Sequence, residues 1–138
     1  RPTRVSALLL IAPAPDFTEK LMWARFDEKI RAQIMDEGLY LEPSDYGEPY
    51  EISRELILDG RACQIMDAPI AFHGPIRILQ GENDIPVPPD HSRKLFDLIE
   101  SEDITYTLVK GGDHSLSRED DLRRLMAAAQ EVEAVLAG

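Results

Sequence analysis

Two residues of this chain are of types suited to moving a proton. Asp84 follows the run "IRILQG", and His114 follows "ITYTLVKGG" about 30 positions later. Imidazole is the side chain that titrates near neutral pH. A carboxylate accepting from its Nδ1–H fixes the tautomer and stabilises the imidazolium formed when Nε2 takes a proton from a nucleophile. Gly111 and Gly112 precede the histidine and allow the backbone to turn sharply there. Glu82 is the nearest substitute acid, and Asp113 is expected to diverge from the ring that it adjoins in sequence. His91 belongs to the first turn of an expected surface helix and His73 precedes a Gly-Pro turn, so neither is given a role. Three dispersed histidines without an H-E-x-x-H or paired-cysteine spacing give no metal pattern, and neither metal nor cofactor is expected.

The elements around these residues set where they can sit. "RVSALLLIAP" is a continuous apolar run, as expected of a parallel strand covered on both faces. It also imitates a signal peptide, but the run is short and Pro13 interrupts the small-residue site, so a buried strand is the better reading. Trp23, Phe26, Ile30 and Ile34 recur at helical spacing, predicting one helix from Thr18 to Glu37 closed by Gly38. "LYLEPSDYGEPYEI" predicts a hairpin or loop, and Ser53 to Met66 a second helix with Gly60 as its weak point. "IRILQG" is a short buried strand. After the proline-bearing loop "ENDIPVPPD", "HSRKLFDLIESE" reads as a helix with Leu95, Leu98 and Ile99 on one face. "ITYTLVKG" is a strand rich in β formers. Ser117 and Asp120 form a potential capping box for a last helix carrying Leu122, Leu125, Ala129, Val132 and Leu136.

The last four elements are therefore βαβα, which implies parallel strands, and working residues in such sheets sit in loops at the strands' carboxyl ends. Asp84 and His114 both fall in loops of that kind. The fold class is α/β, with parallel strands and flanking helices and with residues 18–67 inserted between two βα units in a single domain spanning 1–138.

Length and charge narrow the function. One domain fits 138 residues. With 15 basic against 26 acidic residues the net charge is −11, which argues against nucleic acid and anionic membranes as partners. The single cysteine, Cys63, permits no internal disulfide, suits a reducing, cytoplasmic compartment, and reads as a half-buried small hydrophobe. No apolar run approaches membrane-spanning length.

"LQGENDIPVP" and "KGGDHSLSR" resemble the acid and histidine loops of the α/β-hydrolase fold, whose triad runs Ser, Asp, His in chain order. "RPTRVSALLLIAPAPDFT" resembles the strand after the nucleophile helix in that family. "APAPDFTEKLMW" and "GGDHSLSR" look closest to a subgroup of small serine hydrolases that includes a mitochondrial palmitoyl-protein thioesterase also cleaving acyl glucuronides, with bacterial relatives. The resemblance implies Asp84 as triad acid, His114 as triad base, and the 18–67 segment as the cap shaping an acyl pocket. Phe17 and Trp23 then become candidate substrate contacts among the aromatics Phe17, Trp23, Phe26, Tyr40, Tyr46 and Tyr50, while Phe26 is expected to pack the cap onto the sheet.

The nucleophile elbow G-x-S-x-G is missing from these residues: none of Ser6, Ser44, Ser53, Ser92, Ser101, Ser115 and Ser117 has glycines at that spacing. The expectation is the carboxyl-terminal half of a serine hydrolase for a small-molecule acyl ester or thioester, inert as this chain alone. The competing expectation is a non-enzymatic half-hydrolase that binds a partner or forms a homodimer through an exposed sheet edge.

Overall fold

The computed structural model describes residues 4–44 and 47–138. Tyr46 lies outside them. The chain forms two compact units, one made of the stretch up to Ala14 with Met66–Gly138, the other of Pro15–Ile65.

The first unit carries the parallel sheet. β1 (Leu8–Ile11), β4 (Ile76–Gly81) and β5 (Ile104–Val109) lie in the order β1-β4-β5. Leu8 pairs with Ile76, and Ile76 with Ile104, so all three strands run in one direction. Every residue of β4 is buried, as its central place requires. Its two long polar side chains survive there because they are hydrogen-bonded. Arg77 reaches Asp103 Oδ1 at 2.8 Å and Glu131 Oε2 at 3.0 Å. The hydrogen bond to Asp103 holds its guanidinium above the ordinary arginine range, against the opposing effect of burial. β1 is less covered than its apolar run predicts. It is an edge strand, Leu8–Leu10 are half-buried, and Ile11 is exposed.

α3 (Pro89–Leu98) packs on β4 and β5, and α4 (Glu119–Ala137) on β1 and β4. α3 begins two residues before His91, because Pro89 occupies its first turn with φ preset for a helix. His91 is consequently buried rather than on a surface helix. The helix stops at Leu98, and Ile99 instead bridges to Ile70. In α4 the Ser117–Asp120 capping box does not form. Arg118 is the N-cap and makes no side-chain cap bond, its guanidinium being committed to Asp121. Leu125, Ala128, Ala129 and Val132 of α4 are half-buried, whereas Leu122 and Leu136 are exposed.

The second unit has its own core of Phe26, Ile34, Ile52 and Ile57. The single helix predicted over Thr18–Glu37 is two elements, a π-helical segment Thr18–Trp23 and α1 (Glu28–Glu37). Asp27 separates them by capping α1, its Oδ1 accepting from Ile30 N at 2.8 Å, and Gly38 closes it at φ 90° as expected. β2 (Leu39–Glu42) and β3 (Tyr50–Ser53) form the hairpin, with Leu39 opposite Ser53. Ser53 caps α2 (Arg54–Ala62), which ends four residues short of the predicted Met66. Gly60 is a point of close approach within α2: a Cβ there would collide with the Thr18 side chain. Phe26 packs inside this unit, edge-on to Tyr40 at 5.7 Å, and its core role is met within the unit itself.

Candidate active site

β4 and β5 end side by side, with Gly81 in register with Val109. That pairing delivers the Asp84 loop and the His114 loop to the same, carboxyl end of the sheet. The loops are then joined directly. Glu82 N donates to Val109 O at 3.0 Å and Asn83 N to Gly112 O at 2.8 Å. The Glu82 carboxylate accepts from Lys110 Nζ at 2.6 Å and from Gly111 N at 2.9 Å. Lys110, and after it the Gly111 N–H, hold Glu82 below the usual carboxylate range. Glu82 therefore fastens the loops and makes no bond to the histidine.

His114 Nδ1 lies 2.9 Å from Asp84 Oδ2. An ionised carboxylate can only accept, so Nδ1 carries the proton and donates. The Asp84 side chain is wholly buried, whereas that of His114 is 49 % exposed. Asp84 Oδ1 accepts from Val87 N at 2.8 Å, and Oδ2 accepts also from Gln80 Nε2 at 3.0 Å. The acid is thus fixed from inside the fold, and His114 Nε2 keeps no partner among the described residues.

The histidine loop is held at both ends. Asp113 turns away from the ring, as its place in the sequence predicts, and its Oδ1 accepts from Ser115 N and Leu116 N at 3.1 and 3.0 Å. Leu116 sits at φ 43°, an unfavourable backbone for a leucine, and is kept there by burying its side chain against Leu79 and Val109. At the loop's end Arg118 grips the fully buried Asp121, Nε to Oδ2 at 2.6 Å, and Arg124 adds a contact at 3.1 Å. Arg118 is the leading cause that holds the Asp121 carboxyl below its usual range, and burial opposes it.

This arrangement can do one thing well: pass a proton between Nε2 and a group brought to it, with the charge on the ring balanced by a buried anion. Among the described residues no cluster of three or more His, Cys, Asp or Glu side chains could hold a metal. His73 is exposed and stands 4.0 Å from Glu100, away from this pair in its bonding.

No protein-family model matches the chain. A protein of Agrobacterium vitis described provisionally as a hydrolase superposes with a TM-score of 0.86 at 40% identity, covering 93% of this chain and 49% of that one. The α/β hydrolase domain-containing protein 10 of mouse gives 0.85 at 28% identity, covering 99% and 55%. The fold is that of an α/β-hydrolase. Among curated proteins, the mitochondrial palmitoyl-protein thioesterase ABHD10 of Pongo abelii is 30% identical over 128 residues, 91% of this chain and 42% of the relative. The chain therefore spans less than half the length of that α/β-hydrolase.

The other candidates from the sequence lie in the second unit. Phe17 is 45% exposed and lines a cavity of about 330 Å³ with Asp16, Thr18, Leu56, Asp59, Gly60 and Cys63. Trp23 does not line it. Its ring is flanked by the Arg61 and Arg31 guanidinium groups, 4.6 and 5.4 Å from the centroid, and it packs against the unit's core. Cys63 is exposed rather than half-buried, because α2 ends just before it. Among the described residues no helix is long and apolar enough to cross a membrane. Gln80 was not visible as a site residue in the sequence, since a glutamine inside a strand gives no signal until Asp84 and Val87 fold back onto it.

Proposed function

We propose that this chain supplies the acid–base part of a serine esterase or thioesterase working through an acyl-enzyme, with the nucleophile and oxyanion hole contributed by residues outside the 138. The observation that carries the reading is the 2.9 Å bond from half-exposed His114 to buried Asp84. In this scheme the serine hydroxyl attacks the acyl carbonyl while His114 Nε2 takes its proton. The ring then gives that proton to the departing alcohol or thiol, and a water activated by the same nitrogen releases the acid. Asp84 keeps the proton on Nδ1 and balances the imidazolium.

The acyl class follows from the relatives. Those that share 91% of this chain are named palmitoyl-protein thioesterases, which supports a medium or long acyl ester or thioester as substrate. The unit Pro15–Ile65, close to the 18–67 expected from sequence, is read as the cap, with Phe17, which lines that unit's cavity, as its candidate acyl contact. The relatives are named as mitochondrial, whereas the unpaired Cys63 supports only a reducing compartment, for which the cytoplasm remains our reading. With no G-x-S-x-G among its residues, the chain by itself is inert in this account.

The test is hydrolysis of a palmitoyl thioester and a p-nitrophenyl acyl ester by the product of the whole reading frame. Turnover that disappears in His114→Ala supports the proposal; turnover that is indifferent to His114 sinks it.

One observation favours a second reading. β1 is an edge strand with Ile11 exposed, so a second copy could extend the sheet there. Sedimentation equilibrium of the 138-residue chain separates the two: a concentration-dependent dimer with no hydrolase activity in the whole product would favour the non-enzymatic module.

A further inference from the structure

Gln80 is the penultimate residue of the central strand β4 and is wholly buried. Its Nε2 faces three acceptors: Asp84 Oδ2 at 3.0 Å, Val87 O at 3.0 Å and Gly81 O at 3.2 Å. Two N–H groups serve three oxygens. Turning the amide over would set Oε1 against all three, so the orientation is dictated by its surroundings. The consequence is that Oε1 is buried with no partner among the described residues. An unsatisfied buried acceptor is costly. That cost is offset by the donors the amide gives to Asp84 Oδ2 and to Val87 O and Gly81 O.

Asp84 needs such a donor. Its other partners are the Val87 N–H and the ring of His114, and the ring is half-exposed. A ring whose orientation depends on the carboxylate cannot also be what orients that carboxylate. Val87 and Gln80 are both buried, and between them they hold one oxygen each. We infer that Gln80 is a positioning residue for Asp84, its carboxamide locking Oδ2 in the direction from which His114 Nδ1 must approach. The inference rests on Asp84 and His114 acting as a pair. It adds that the pair is organised from β4 before any substrate arrives.

The test uses the product of the whole reading frame with ¹⁵N-labelled histidine and glutamine. Nitrogen shifts of the neutral His114 ring report which nitrogen carries the proton. In the native chain the Nδ1–H form predominates. Asp84→Asn examines the pair itself, and the population shifts toward Nε2–H, the form free histidine prefers. Gln80→Met keeps the volume and removes the amide; it lowers the thermal midpoint, since Val87 O also loses a donor, but it shifts the population the same way while the amide protection of β4 and β5 persists. A purely structural glutamine would not move the tautomer. Should Gln80→Met fail to fold, the native chain still answers: the Gln80 carboxamide protons shift as the ring of His114 is protonated, and with the same midpoint. If Asp84→Asn leaves the ring unchanged, the pair falls and the inference with it. If Asp84→Asn shifts the ring but Gln80→Met does not, or the Gln80 protons ignore the titration, the pair stands and the role of Gln80 is overturned.

Discussion

Gly81 passes so close to the histidine loop that it cannot carry a side chain: a Cβ there would lie 2.3 Å from Asp113 O and 2.6 Å from Gly112 O. The contact joins the end of β4 to the histidine loop. The obstruction is backbone, which cannot rotate away. Gly81→Ala is expected to destabilise the chain by about 1–3 kcal/mol through overpacking. It also drives the loops apart, so the His114–Asp84 bond is lost along with stability. Urea denaturation gives the first quantity and the His114 nitrogen shifts the second. A fully stable Gly81→Ala chain with an unchanged histidine would show that the close approach is not what sets the site.

Asp84→Asn has a separable effect in the whole enzyme. The amide is nearly isosteric, so the protein folds, but it no longer demands a proton on Nδ1. Turnover falls by about 10³–10⁴-fold with KM little changed, because the loss is felt in the transition state. A steady-state comparison on one ester checks this. A raised KM at unaltered kcat would place Asp84 in binding instead.

The clasp between Arg118 and Asp121 makes stability depend on acid. Asp121 titrates below its usual range when folded, with Arg118 the main cause. Its contribution is complete above the pH where the unfolded carboxyl titrates, and it is lost as pH falls through the lower folded value. Asp121→Asn should therefore lower the thermal midpoint at neutral pH, and the gap between the two proteins should close in strong acid. Melting curves between neutral pH and pH 2 test it; a gap that stays constant would contradict the linkage.

Cys63 is exposed at the rim of the cavity that Phe17 lines. A native-state maleimide should add one label per chain without denaturant, as mass spectrometry would show. Protection of Cys63 until the chain unfolds would mean that the end of α2 is covered.

The site was legible because its two residues follow strands that announce themselves. "IRILQG" became β4 with its expected limits, and "ITYTLVKG" became β5 but ends two residues early, at Val109, so the loops behind them were placed as well. What failed depended on competition that a sequence does not display. Phe26 continues the apolar stripe from Trp23 to Ile30, which hid the interruption made by Asp27 as a cap. Ser117 and Asp120 have capping-box spacing, but the ion pair of Arg118 with Asp121, one position on, determines the start of α4. Gln80 acquires its meaning only from Val87 and Asp84, which the turn after β4 folds back onto it.

The most direct test of the account is the rate at which a fluorophosphonate labels the whole reading-frame product, with and without His114→Ala. The account predicts stoichiometric labelling of one serine outside these 138 residues, and a fall in rate of about 10³-fold or more when the histidine is removed. Labelling of a serine within the 138 residues, or a rate that His114→Ala leaves untouched, would contradict it.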